Sequence, residues 1–317
     1  MSRLGVVITC IALALVPCLF ASGYQLFQLT LVVTYAVAIL GLNLVTGYNG
    51  QVSLGHGAFY AVGAYTTAIL MDKFNVPYYA TLPVAAVICA VFGFLIGLPA
   101  LRLGGLYLAL TTFALSVSVP QLLKYRAFEG YTGGVQGIVI DKPDAPFGIA
   151  LTSDQWVYLF TLAVGIVCFV LTANLVRGRI GRAMIAIRDQ PLAAEAMGID
   201  IAMQKTFTFA VSAMITGLAG SLGAIAVQFV APDGFGAPLS LTFFVGFVVG
   251  GGASIIGPMF GAVFVEFIPN IADQISKAAP GAVYGVLLIA LMFLAPGGCA
   301  SIVRRLAKYM PWNRRAT

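Results

Sequence analysis

From Leu4 to Met71 the chain carries not one Asp, Glu, Lys or Arg. Further uncharged runs extend from Phe74 to Leu101, Gln155 to Val176, Thr206 to Pro232 and Ala278 to Val303. An α-helix needs about 20 apolar residues to cross about 30 Å of hydrocarbon, and each run is that long. Overall 60% of the residues are hydrophobic and 9% charged, with a mean hydropathy of +0.99. A soluble domain carries about 25% charged residues, so a cytosolic enzyme is excluded. The expected fold is an all-α polytopic membrane protein. It forms one transmembrane domain over 1–317, with a cytoplasmic loop at 177–205 and a basic cytoplasmic tail at 297–317.

Cutting at charges, prolines and glycine-rich breaks predicts about ten helices, within a few residues at each boundary. They are 4–20, 26–46, 52–71, 78–98, 103–123, 156–176, 207–230, 238–256, 257–271 and 281–296. The pair 238–271 reads equally as a single hairpin. Segment 4–20, with Arg3 before it and Ala21-Ser22-Gly23 after it, has signal-peptide features. It is long for an h-region and a second apolar run follows at once, so it reads as a retained first helix.

The basic residues orient this bundle. With the N-terminus inside, the inner side holds Arg3, Arg102, Arg177, Arg179, Arg182, Arg188, Lys205, Arg304, Arg305, Lys308, Arg314 and Arg315. The outer side holds Lys73, Lys124, Arg126, Lys142 and Lys277. This excess obeys the positive-inside rule and predicts both termini in the cytoplasm. The net charge of +6 therefore serves topology, and no nucleic-acid partner is implied.

Several chemistries have no residues to carry them. The dipeptide Gly-Lys never occurs, so there is no phosphate-binding P-loop. His56 is the only histidine, and the cysteines (Cys10, Cys18, Cys89, Cys168, Cys299) form no CxxC pair. Neither a metal site nor a catalytic constellation follows, and the cysteines read as small packing residues. Glu266 is the one acid well inside an expected span. It is either functional or close enough to the helix end to reach water. Ion-coupled carriers place several ionisable groups in their helices, so a stand-alone secondary transporter is the weaker reading.

Gly93 and Gly97, Gly246 and Gly250, Gly257 and Gly261, and Gly281 and Gly285 each form a GxxxG pair. Such pairs let helix backbones approach closely in lipid, within the chain or at a dimer face.

Two segments carry the functional information. Between Gly41 and Tyr65, five glycines from Gly47 to Gly63 stand among Asn43, Asn49, Gln51, Ser53 and His56. A broken helix lining a wet pathway fits this composition. So does a short cytoplasmic turn with His56 a satisfied packing residue. As pathway residues, these uncharged groups would hold a passing solute weakly enough to release it.

The second is the inner loop 177–205. Asp189 is a candidate N-cap, Pro191 suits a first helical turn and Gly198 suits a helix end. The result is a two-turn helix with Leu192 and Ala196 on one side, rimmed by Arg182, Arg188 and Glu195. Its apolar stripe calls for a partner's groove, the alternative being a solvated loop lying on lipid.

The segment 41–65, Thr132-Gly133-Gly134-Val135-Gln136-Gly137-Ile138, and Gly181-Arg182-Ala183 through Ala186-Ile187-Arg188-Asp189 together resemble a known family. Ala194-Glu195-Ala196-Met197-Gly198-Ile199 and the small residues from Ser212 to Gly220 follow in the same order. The family is the LivM-type permease of branched-chain amino-acid ABC importers, which has urea and short-amide relatives. The resemblance covers roughly 26–300. The chain departs from it at Ala295-Pro296-Gly297, where many relatives carry Arg after the Pro. The resemblance implies a bacterial inner-membrane importer with a second, LivH-type permease subunit, two cytoplasmic ATPase subunits and a periplasmic solute-binding protein. It implies that Asp189 to Gly198 is the helix that docks on the ATPase. It also implies that ATP is bound by the partners, with no cofactor and no catalytic residue on this chain.

Overall fold

The computed structural model describes residues 21–100, 105–146, 151–275, 277 and 279–302. The expected helix 4–20, Arg3, Arg102 and the tail beyond 302 lie outside the described residues.

Two helices begin as their sequences dictate. α1 (Gly23–Leu42) opens on a capping box: Ser22 Oγ accepts from the Gln25 N–H, and Gln25 Oε1 accepts from the Ser22 N–H. Such reciprocal bonds satisfy amides that an N-terminus otherwise leaves without partners. α1 runs into one π-helical turn, Asn43–Tyr48, after which the backbone is non-helical to Gly55. Then come α2 (His56–Phe74), α3 (Tyr78–Ala100), α4 (Leu106–Leu123) and a single turn, α5 (Glu129–Thr132). α6 (Ser153–Arg177) starts from the second capping box, Thr152 with Gln155. α7 (Arg179–Asp189), α8 (Pro191–Ala196) and α9 (Ile201–Val227) follow. α10 (Ala237–Gly250), α11 (Gly257–Ile275) and α12 (Pro280–Leu294) complete the described chain.

Among the described residues, seven helical segments are long and apolar enough to cross a membrane. They are Gly23–Tyr48, Tyr78–Pro99, Leu106–Leu123, Ser153–Arg177, Ile201–Val227, Pro232–Gly250 and Gly281–Ile302. α9 is the central one. It packs against α3, α2 and α1, and 72% of its most apolar window is buried. For Gly281–Ile302 that share is 17%. Outward-facing residues such as Leu95, Leu171 and Phe293 are exposed. In hydrocarbon these carry no penalty, because lipid tails are as apolar as they are.

Glycine makes the central contacts possible. A Cβ on Gly217 would collide with Cys89 of α3, and one on Gly220 with the Tyr60 carbonyl of α2. Gly93 and Gly97 face α9, and Gly246 and Gly250 of α10 face Gly261 and Gly257 of α11. These GxxxG pairs are therefore intramolecular, and α10 and α11 form an antiparallel hairpin. Gly281 and Gly285 of α12 have nothing within 4 Å.

Three features depart from the expected spans. α9 ends at Val227, where Gln228 takes a left-handed φ of 65°. Residues Phe229–Val230 instead form a strand, β2, antiparallel to β1 (Ile138–Val139). Ile138 pairs with Val230, which ties the long loop after α4 to the end of α9. α10 stops at Gly250, so 251–256 is the hairpin's turn and not helix. The loop 177–205 is mostly helical, because Gly181, Met184 and Ile187 of α7 recur at helical spacing and are buried.

Candidate functional site

The glycine-rich segment and the helix α7 meet. Arg188, the penultimate residue of α7, donates from Nη1 to the Gly47 carbonyl of the π-helical turn at 3.0 Å. A π turn leaves carbonyls displaced from the regular ladder and recurs at functional positions. Gly50, with φ +72°, lies against the same side chain, and a Cβ there would stand 2.7 Å from Arg188 Cγ.

The five residues expected along a pathway are enclosed as a polar knot of three separate hydrogen-bonded groups. Asn43 clamps the α10–α11 turn, donating to the Ser254 carbonyl and accepting from the Ala253 N–H, both at 2.9 Å. Asn49 Nδ2 donates to Gln51 Oε1 at 2.7 Å, while Asn49 Oδ1 is buried without a hydrogen-bond partner. His56 lies 2.7 Å by Nε2 from Ser212 Oγ and 3.1 Å by Nδ1 from Ser53 Oγ. Ser212 spends its own hydroxyl proton on the Gly41 carbonyl at 2.6 Å. It must therefore accept from His56 Nε2–H, which leaves Nδ1 to accept from Ser53; the tautomer follows from the partners. The chain α1–Ser212–His56–Ser53 thus links three elements. Thr112 of α4 and Ser240 of α10 add bonds to the Leu54 and Gly57 amides, each 2.9 Å. All five residues are at most 6% exposed.

α8 faces the other way. Its N-cap is Gln190, with no side-chain capping bond; Asp189 is instead the last residue of α7 and accepts from Arg188 Nε at 2.9 Å. The expected N-cap is thus one residue early, because α7 occupies Asp189. Pro191 does begin the helix, where its missing N–H costs nothing. Gly198 has φ +81°, and the Ile199 N–H bonds the Ala194 carbonyl at 3.1 Å, the long bond of a Schellman stop. Ala194 is buried, whereas Leu192 and Met197 are 81% and 84% exposed. Glu195 and Ala196 are also exposed. Arg182 does not rim α8: its Nη1 reaches back to the Arg177 carbonyl at 3.3 Å. Met197, the residue after α8 and beside the Gly198 stop, is a second exposed apolar side chain that the sequence reading did not place among the site residues. A cleft of about 450 Å³ separates α8 from the start of α9 and is lined by Glu195, Gly198, Asp200 and Lys205.

Arg188 of α7 thus joins the broken transmembrane segment to the α7–α8 unit, whose far side exposes Leu192 and Met197. Residues 25–296 match the family described as branched-chain amino acid transport system, permease component. The chain belongs to this permease family. It is 31% identical over 299 residues to the high-affinity branched-chain amino acid transport permease LivM of Escherichia coli, covering 87% of this chain and 69% of that one. The related BraD of Pseudomonas aeruginosa is 26% identical, covering 85% of this chain and 92% of its own. A probable LivH permease of Methanocaldococcus jannaschii is 24% identical over 83% of this chain and 87% of that one. Members of the family are transport components, and this permease is a multi-pass membrane protein of an ABC importer.

Proposed function

We propose that this permease carries branched-chain amino acids across a bacterial inner membrane as one of two related membrane subunits. ATP is bound and hydrolysed by two cytoplasmic partners, a periplasmic binding protein delivers the solute, and this chain needs no cofactor. Ten spans with both termini inside place Lys124 to Gln155 outside and α7–α8 in the cytoplasm, in line with the distribution of basic residues.

The observation that carries this reading is the two-sided character of the α7–α8 unit. Leu192 and Met197 stand exposed on α8. Arg188 joins the same unit to the Gly47 carbonyl. Exposed apolar side chains on a short helix fit a groove in a partner protein. Movement of that partner then reaches the π turn through Arg188, and the Gly47–Gly57 break, where Asn43, Asn49, Gln51, Ser53 and His56 gather, is the point that yields.

The test is reconstitution with a second permease, ATPase and binding-protein subunits in proteoliposomes. ATP-dependent uptake of leucine, isoleucine or valine supports the proposal. Uptake of urea or a short amide alone replaces the solute, and uptake without ATPase subunits overturns the importer reading.

A further inference from the structure

The polar knot is not where the chain holds open space. A cavity of about 400 Å³ lies beneath β2 and the 3₁₀ turn Pro232–Phe235, where α1, α2, α9 and α10 meet. Its volume is in the range of about 300–1,000 Å³ typical of small-molecule sites. Leu31 and Tyr35 of α1, Tyr60 of α2, Phe235 and Leu239 form its walls, and Asp233 contributes the one charged group. None of Asn43, Asn49, Gln51, Ser53 and His56 lines it.

The floor is a cluster of aromatic rings. Tyr60 lies 5.4 Å from Phe243 and 5.9 Å from Phe235 by ring centroid, and Tyr35 lies 5.7 Å from Phe243. Gly223 of α9 permits this arrangement, because a Cβ there would collide with the Tyr60 hydroxyl. At the rim Asp233 forms an ion pair with Lys124, the residue after α4, and its side chain is 71% exposed.

We propose that this cavity is the site where the permease receives an aliphatic amino acid, with the Lys124–Asp233 pair at its mouth. The proposal rests on the importer reading and gives it a location. Apolar and aromatic walls match a branched hydrocarbon side chain and would desolvate a charged or amide side chain without a partner. The zwitterionic end carries one ammonium and one carboxylate, and the rim presents one anion and one cation. The rings of Tyr35, Tyr60 and Phe235 limit the side-chain length the cavity accepts.

The test uses the full complex in lipid nanodiscs with a diazirine analogue of leucine. The expected label falls on Leu31, Tyr35, Tyr60, Phe235 or Leu239 and disappears under excess leucine. Leu239→Trp and Leu31→Trp fill the cavity from two different helices. Each should reduce labelling and leucine uptake at least tenfold in complexes that purify intact. Asp233→Asn should raise several-fold the leucine concentration needed to displace the label. Labelling elsewhere, labelling that leucine does not displace, or wild-type uptake in both Trp variants overturns the site. If the Trp variants do not assemble, the position of the label on the unsubstituted chain decides. Leucine uptake with an unlabelled cavity sinks the site alone, whereas absence of aliphatic amino-acid uptake by the unsubstituted complex sinks the importer reading itself.

Discussion

Arg188 Nη1 and the Gly47 carbonyl, 141 residues apart in sequence, are joined by a 3.0 Å hydrogen bond. The same guanidinium accepts restraint from Asp189, its neighbour, through Nε at 2.9 Å. One side chain therefore spans from the exposed α7–α8 unit to the only π-helical turn among the described residues.

A bond from a charged donor to a carbonyl contributes about 1.5–3 kcal/mol, and the partial exposure of Arg188 places it at the lower end. Arg188→Ala should leave the complex assembled and lower leucine uptake per complex about tenfold. Arg188→Lys should recover little, because an ammonium lacks the fork that serves Gly47 and Asp189 together. Uptake assays in matched proteoliposomes measure this, and unchanged uptake in Arg188→Ala would remove the tether from the mechanism.

Gly198 has φ +81° and open space around it. A side chain there meets no neighbour, so any effect is backbone strain, of order 1–3 kcal/mol for a β-branched residue. Gly198→Val should loosen the end of α8 and reduce uptake, whereas Gly198→Asn, which tolerates the left-handed region, should retain most of it. Equal activity of the two variants would separate α8 geometry from coupling.

The His56–Ser212–Gly41 chain is buried, so removing its middle member leaves the His56 Nε2–H without a partner and takes one of its bonds from the Gly41 carbonyl. Ser212→Ala should destabilise the protein by about 1–3 kcal/mol. Thr111 is exposed and its hydroxyl bonds only the Tyr107 carbonyl in its own helix. Thr111→Ala should therefore leave the detergent melting temperature nearly unchanged, while Ser212→Ala lowers it by several degrees.

Topology is open to chemical labelling. Val135 is 66% exposed in the loop after α4, and Leu192 is 81% exposed on α8. In intact cells a membrane-impermeant thiol reagent should modify Val135→Cys, and modify Leu192→Cys only after permeabilisation. Labelling of Leu192→Cys from the periplasm would reverse the orientation.

Much of the local structure around the candidate site was legible one segment at a time. Pro191 and Gly198 delimit α8 because an N1 proline and a left-handed glycine act locally, through backbone geometry alone. The Asp189 cap failed because α7 competes for that residue. The apolar spacing of Gly181, Met184 and Ile187 that defines α7 was present but hidden among Arg179, Arg182 and Arg188. The glycine-rich stretch did contain a helix break, and its polar residues are enclosed in three hydrogen-bonded groups. Their enclosure was not readable, because the partners of His56 and Asn43 stand 156 and more than 200 residues away in the sequence.

Sequence alone determined that this chain lives in a membrane as apolar helices and that a short helix begins at Pro191 and stops at Gly198. Hydrocarbon offers backbone groups no hydrogen bonds, so each uncharged run must close its own ladder, and run length and caps are local quantities. Tertiary structure decided which polar groups face each other, which GxxxG pairs are internal, and where the chain leaves a cavity. Those follow from the close approach of helices distant in sequence: Gly217 and Gly220 let α2 and α3 settle onto α9, and Gly223 leaves room for Tyr60. In lipid that fit rests on shape and hydrogen bonding, with no hydrophobic effect to draw helices together.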